Sequence, residues 1–362
     1  MAELKQLRDT IGKSGGRITI EQQYQRQAVL FKIVPKEVWP STGGLIDKHL
    51  GQTAIICGGG PSLAKTFPAL EAAANNGAIV FAPNKSHDWL INGEKGQRRN
   101  RYKRKPLIPQ YGVLVDPSLH IADYITPHPK VHYLLGTMLH FKTHVKFLKA
   151  ESKVSLWVPT HDEEAKDILI AAEFWPDRPM QFISGGSTVG LRTIGLIVSM
   201  GCDTLELHGF DSCYAPHTKS LYAYEKPYTT TEYSNPTAIA PNGDQLRFES
   251  NQHMSKQAME FEDFCQRLSE MVINGTVRDV KIRVHGDGVI PWMAWKSDKP
   301  NISHAAPDEM FAKYGESKYF DYASGKAQDD AFVVTGETPI GISTGLEMVS
   351  MPSFFNTNGA GL

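Results

Sequence analysis

The sequence predicts a Rossmann-like α/β fold built on a doubly wound, mostly parallel sheet. Short apolar runs alternate along the chain with amphipathic stretches, as successive strand–helix units require. Several of these runs are continuously apolar, which is typical of strands covered by helices on both faces. Two of them lead through glycine-rich turns directly into a helix. We expect this domain to span residues 51–295, between an N-terminal extension (1–50) and a C-terminal helix with an extended tail (296–362).

The individual elements follow from the length and periodicity of each apolar run. The predicted strands are Thr53–Cys57, Ala78–Ala82, Gly112–Val115, Val131–Leu135, Val154–Val158, Gln181–Ile183, Thr204–Leu207 and Val280–Val284. The predicted helices are Ser62–Ala74, Phe141–Lys149, Glu163–Glu173, Ser187–Met200 and Gln252–Asn274.

The composition is that of an ordinary globular protein. Of 362 residues, 41% are hydrophobic and 21% are charged, with a formal net charge of -1, so no global charge favours nucleic acid or acidic lipid. The four cysteines are widely separated, which predicts buried, reduced thiols rather than a disulfide framework or a zinc site. No stretch approaches the roughly 20 apolar residues of a membrane helix. The N-terminus is polar, and we expect a soluble, cytoplasmic protein without a membrane span.

The strongest local signal is a glycine turn between a strand and a helix. Its residues are Gly58, Gly59, Gly60, Pro61 and Ser62. Glycines let the backbone approach a ligand, and proline suits the first helical position. The amides at the start of the helix then favour an anion, so we expect these residues to bind a nucleotide. A tight turn that binds nothing is the alternative.

This turn is neither a dinucleotide fingerprint nor a Walker loop. Leu63 stands where the third glycine of the fingerprint belongs, and the next strand leads to Asn84 rather than to an acid. No Gly-Lys-Ser/Thr follows the glycines, as a Walker loop requires. A nucleotide or nucleotide-sugar donor therefore fits the site better than NAD, and an NAD-dependent oxidoreductase is disfavoured.

A second turn of small residues repeats the same order of strand, turn and helix. Ser184, Gly185, Gly186 and Ser187 precede an apolar helix, and Ser187 or Thr188 can cap it. We expect the turn to contact the nucleotide, while a plain capped helix is the alternative.

Polar residues also follow three other predicted strands. Asn84, Asp116 and Asp211 each come shortly after an apolar run. In open α/β sheets, ligands bind outside the carboxyl ends of the strands, so these residues are predicted to border one crevice. Each could instead be a helix cap. If the reaction is diphosphoryl transfer from ATP, Mg²⁺ is required, and Asp116 and Asp211 are its predicted ligands.

The segment after Asp211 is rich in tyrosine and suits a lid over a bound nucleotide. Tyr222 and Tyr224 could donate hydrogen bonds to a leaving phosphate, and His217 or Asp211 could take the proton of an acceptor hydroxyl. A solvated loop is the alternative for His217.

Taken in order, these landmarks resemble the 6-hydroxymethylpterin diphosphokinase MptE-like family. That family is related to the glycosyltransferase domain of motility accessory factors, and its fold is similar to that of bacterial sialyltransferases. The stretches that carry the resemblance are Cys57–Leu63, Asn84–Ser86, Val115–Pro117, Gly185–Gly190, Leu207–Asp211 and Gly286–Gly288.

The resemblance implies that the first glycine turn faces the donor and that Asn84 reads the nucleotide. It also implies that Ser187 and Asp211 border the donor pocket. Relatives often have a histidine where Tyr222 stands, so the resemblance supports a histidine base only if His217 takes that role.

A basic segment, residues 95–105, interrupts the domain. Seven of its eleven residues are basic, which predicts either a solvated loop or a contact with a polyanion. The polyanion contacts would be made by Arg98, Arg99, Arg101, Lys103, Arg104 and Lys105.

Two functions fit the sequence. The first is a nucleotide-dependent transferase that moves a glycosyl or diphosphoryl group to a hydroxyl acceptor. The second is a non-catalytic binding or assembly protein that retains the fold. In the second case, the basic segment would hold a polyanion, and the C-terminal arm, residues 331–362, would make contacts in a homo-oligomer.

Overall fold

The structure is a computed structural model. It describes residues 25–27, 29–30, 34, 39–93, 104–159, 181–183, 185–215, 220–224, 237–239 and 247–314. The chain divides into two compact units. The first contains residues 1–59 and 69–202, and the second contains residues 60–68 and 203–362.

Six parallel strands form the sheet of the first unit. They are β1 (Thr53–Cys57), β2 (Ile79–Pro83), β3 (Tyr111–Leu114), β4 (His132–Gly136), β5 (Val154–Pro159) and β6 (Phe182–Ile183). Each pairs in parallel with the next along the chain, so their order in the sheet is their order in the sequence. All six carboxyl ends therefore lie at one edge.

The second unit has three parallel strands and a separate antiparallel pair. The parallel strands are β7 (Thr204–His208), β10 (Lys281–Val284) and β11 (Ile302–His304), with β10 in the middle. The antiparallel pair is β8 (Thr237–Ile239) with β9 (Arg247–Glu249).

Helices connect most of the strands. They are α1 (Leu63–Asn75), α2 (Ser86–Asn92), α3 (Phe141–Lys149), α4 (Val189–Ser199), α5 (Gln252–Ile273), α6 (Val289–Lys296) and α7 (Pro307–Tyr314). Parallel strands alternating with helices confirm the predicted doubly wound α/β class.

The burial pattern of the parallel strands differs between the two units. Strands β3, β4 and β5 are buried at every residue, as continuous apolar runs predict. Strand β10 alternates instead: Ile282 and Val284 are buried, while Lys281 and Arg283 are exposed. One face of the second unit's sheet therefore carries polar side chains.

The helices and the cysteines agree with the composition of the chain. Among the residues described, no helix combines the length and apolarity that a bilayer crossing requires. All four cysteines are buried as thiols, which confirms that prediction. Burial raises the pKa of the Cys57 and Cys265 thiols, so both stay protonated.

Candidate functional site

The first glycine turn holds an anion that the protein itself supplies. The Ser62 amide donates a hydrogen bond of 2.8 Å to Oδ2 of Asp211, which is 2% exposed. The Gly60 amide donates to the carbonyl of Gly209, also at 2.8 Å. Two of the amides expected to face a ligand therefore bind groups of the chain. The start of α1 attracts a carboxyl group, as the positive end of a helix does, and binding of a nucleotide at this turn stays a prediction.

Three glycines leave just enough room for this arrangement. A Cβ at Gly60 would lie 2.2 Å from Oδ2 of Asp211, and a Cβ at Gly288 would lie 2.5 Å from the Asp211 carbonyl oxygen. At Gly286, whose φ is +112°, a Cβ would lie 2.4 Å from the Ser62 hydroxyl. Real Cβ atoms do not approach this closely, so the three positions require glycine for close packing around Asp211 and Ser62.

Asp211 also connects the starts of two helices. Its carboxylate accepts from Ser62 next to α1, while its carbonyl accepts from the amide of Val289, the first residue of α6, at 2.8 Å. A buried carboxylate engaged in this way acts as a structural brace. This placement disfavours the roles of general base and magnesium ligand that were predicted for Asp211.

The first unit brings Asn84 and Asp116 to one edge of its sheet, together with Gly58 and Gly59. These residues follow β1, β2 and β3, which are neighbours with parallel pairing. Asn84 has a φ of 48°, and its amide donates to the Val113 carbonyl at 2.9 Å. Asparagine tolerates this backbone conformation better than most residues. Its Oδ1 is buried and has no hydrogen-bond partner among the residues described.

Asp116 is held at this edge by its own loop. Oδ1 of Asp116 accepts a hydrogen bond of 2.8 Å from the Ser118 amide, which forms a local turn. Both residues therefore occupy the edge where open α/β sheets bind ligands, as the sequence predicts.

The second glycine turn follows a strand that is not a neighbour of β1. It comes after β6, and four strands separate β6 from β1 in the sheet order. Thr188 caps α4 by accepting from the Leu191 amide, and a Cβ at Gly186 would lie 2.6 Å from the Leu191 side chain. These contacts are those of a capped helix with a tightly packed glycine, and nucleotide binding by this turn stays a prediction. Gly185 and Ser187 lie in the same turn, and Ser184 lies outside the described residues.

The tyrosine segment is described only in part. Tyr222 and Tyr224 stack on each other, with ring centroids 5.0 Å apart and an interplanar angle of 9°. His217 lies outside the described residues.

One residue of the basic segment, Arg104, lies in the interior of the protein. Arg104 was predicted to contact a polyanion, but it is buried with its guanidinium 3.6 Å from the ring centroid of Trp89. Burial lowers the pKa of Arg104 to about 10. Its side chain packs on an aromatic ring because a guanidinium is weakly hydrated and stacks well. Lys105 is exposed, while Arg98, Arg99, Arg101 and Lys103 lie outside the described residues.

The sequence did not reveal a cluster of potential metal ligands in the second unit. Glu206, His208 and His285 place one ligand atom each within 4.8 Å of one another. The predicted magnesium ligands, Asp116 and Asp211, are not members of this cluster. Burial and the neighbouring His285 lower the pKa of His208 well below its usual value.

The comparisons with known proteins are sparse. No protein-family model matches the chain, and no curated protein matches it. Among solved structures, the chain is similar to a MAf glycosyltransferase from Magnetospirillum magneticum AMB-1, with 11% sequence identity and a TM-score of 0.47. The match covers 78% of this chain and 39% of that one. Similarity at this level defines neither a family nor an activity for this chain.

Proposed function

We propose that the chain is a nucleotide-dependent transferase, related to the MptE-like family, that binds its donor at the carboxyl edge of the first unit's sheet. The residues assigned to the donor are Gly58, Gly59, Asn84 and Asp116. The observation that carries the proposal is the buried Oδ1 of Asn84, which meets no hydrogen-bond donor among the described residues. A buried polar atom without a partner costs free energy, and a ligand hydrogen-bonded to it recovers that cost.

The chemistry follows from what each residue offers. Amides beside two glycines can approach a phosphate closely, because no Cβ stands in the way. The Asn84 side chain presents both an acceptor and a donor, which suits the edge of a nucleobase or a ribose hydroxyl. Donors already in place at the phosphate would stabilise negative charge as it develops on the leaving group.

The transferred group is a glycosyl or a diphosphoryl unit. Diphosphoryl transfer from ATP requires Mg²⁺, and Asp116 is the carboxylate of this edge that can bind it. We assign Asp211 the structural role described above. Another residue then has to take the proton of the acceptor hydroxyl. His217 is the remaining candidate that the sequence offers for this role.

Binding of a nucleotide donor tests the proposal directly. The full chain is screened by thermal shift against ATP, GTP, CTP, CMP and UDP-sugars, each with and without Mg²⁺. At a concentration of about 100 times its dissociation constant, a donor stabilises the fold by about 2.7 kcal/mol, which such an assay detects.

A matched pair of variants locates the binding site. Asn84→Asp preserves shape and tolerance of positive φ but presents a negative charge to the donor, so affinity should fall at least about tenfold, or about 1.4 kcal/mol. Asn76→Asp makes the same change at an exposed residue just before β2, at the opposite edge of the sheet. It should leave affinity unchanged. Equal affinity in both variants would place the donor elsewhere, and the absence of any nucleotide shift would refute the proposal.

One observation favours the second candidate, a non-catalytic binding protein. The start of α1 already holds the carboxylate of Asp211, so the Ser62 amide has its partner without a ligand. On that hypothesis, no nucleotide from the screen stabilises the chain, and Asn84→Asp changes its stability alone.

A further inference from the structure

Glu206, His208 and His285 lie on one face of two neighbouring strands. Strands β7 and β10 run parallel, with Glu206 opposite Arg283, and the His285 amide continues the ladder by donating to Leu207 at 2.8 Å. Because side chains alternate along a strand, the residues at 206, 208, 283 and 285 share a face.

The ligand atoms of the three residues are close enough for one ion. Oε2 of Glu206 lies 3.4 Å from Nε2 of His285 and 4.0 Å from Nε2 of His208. The two imidazole rings stack with centroids 3.9 Å apart. Ligand bonds of about 2.0 to 2.1 Å in a tetrahedral site place neighbouring donors about 3.3 Å apart. The first distance already fits, and the second fits after a shift of less than about 1 Å and a turn of one ring.

The His208 imidazole is buried, and its hydrogen bonds are not made among the described residues. The His208 side chain is fully buried, and neither of its ring nitrogens has a hydrogen-bond partner among the residues described. Nε2 of His285 is also buried and faces Oε2 of Glu206 at the long distance of 3.4 Å. Burying such groups without partners is costly, and coordination of a cation compensates for it.

Arg283 orients the carboxylate. Its guanidinium lies 3.8 Å from Oε1 of Glu206, which leaves Oε2 directed at the two histidines. Outer partners that fix a ligand in this way are common around metal sites. Arg283 is half exposed, so its charge is screened by water.

We propose that Glu206, His208 and His285 bind a divalent transition-metal ion. Two imidazoles and one carboxylate form a ligand set that suits Zn²⁺ and, in a facial arrangement, Fe²⁺. Three protein ligands leave at least one coordination position for water or an exogenous ligand. This site shares no residue with the proposed donor site, and neither proposal depends on the other.

Metal titration of the full chain tests the site. The purified protein is stripped with a chelator and titrated with Zn²⁺ by calorimetry, and with Co²⁺ by visible absorption. We expect one equivalent to bind and Co²⁺ to give the d–d bands of a low-coordinate site. Affinity should fall at least about tenfold in Glu206→Gln and at least about 100-fold in His285→Ala.

The control removes a histidine elsewhere in the same unit. His253 is exposed on α5, and His253→Ala should bind Zn²⁺ as the wild type does. Circular dichroism establishes that each variant is folded. If His285→Ala is not folded, Glu206→Gln decides, because it preserves the shape of a side chain that is only 14% exposed. Failure of the wild type to bind one equivalent, or equal affinity in wild type and Glu206→Gln, would overturn the assignment and leave the stacked histidines as a structural feature.

Discussion

Gly60→Ala tests whether the first glycine turn exists to accommodate Asp211. The added methyl would lie 2.2 Å from Oδ2 of Asp211 and 2.7 Å from the carbonyl oxygen of Gly209. The carboxylate can turn away only by losing its hydrogen bond from Ser62, and a hydrogen bond to a charged group contributes about 1.5 to 3 kcal/mol. The backbone oxygen can move only with β7, and overpacking of this kind costs about 1 to 3 kcal/mol. We therefore expect a loss of about 2.5 to 6 kcal/mol in the free energy of unfolding.

Urea denaturation followed by circular dichroism and tryptophan fluorescence measures this loss. Gly44→Ala is the matched control, because nothing lies within 4 Å of a Cβ there and its φ is not in the left-handed region. The control should match the wild type or be up to about 1 kcal/mol more stable, since alanine restricts the unfolded chain. A Gly60→Ala protein within about 1 kcal/mol of the wild type would refute this account of the turn.

Two further predictions concern buried groups. Burial lowers the pKa of His144 to about 3 and the pKa of His132 to about 4. Histidines of the unfolded chain have a pKa of about 6.5, so each of the two binds a proton more readily when the chain is unfolded. The free energy of unfolding should therefore fall as the pH drops below about 6.5, by about 2 kcal/mol for each histidine between pH 7 and pH 5. The urea midpoint of His144→Leu should depend less on pH than that of the wild type. An unchanged slope would show that His144 does not contribute. The buried cysteines, with a raised pKa at Cys57 and Cys265, should react with a thiol reagent such as DTNB only after unfolding. Rapid labelling of the native protein would contradict this.

Most of the parallel sheet could be predicted because its strands are continuous apolar runs. Thr53–Cys57 is predicted and observed with the same bounds, and the other predicted strands differ at their ends by one residue or so. Strand Ile302–His304 was missed, because a run of three residues is too short to show a period. Helix Val289–Lys296 was missed because it is apolar on most sides and has a proline in its first turn. The predicted helix Glu163–Glu173 lies outside the described residues.

Some features of the candidate sites could be predicted from the sequence, and others could not. The positions of Asn84 and Asp116 could be predicted, because each follows a strand and parallel neighbours end at one edge. The partner of Ser62 could not be predicted, because Asp211 is 149 residues away along the chain. The cluster around His208 was missed for a related reason. Glu206 and His208 are two residues apart on β7, so they share a face. His285 follows β10, and no local pattern in the sequence specifies that β10 pairs with β7.

The hydrogen bond between Ser62 and Asp211 affects when segment 60–68 can fold during synthesis. The amide emerges from the ribosome 149 residues before its acceptor. At about 5 to 20 residues per second, it waits about 7 to 30 s for that carboxylate. Throughout this interval the nascent segment 60–68 has no brace, although strand β1 and the rest of α1 have already been made. Ribosome-bound fragments that end before residue 211 should therefore expose this segment to proteases, and fragments that extend beyond α6 should protect it.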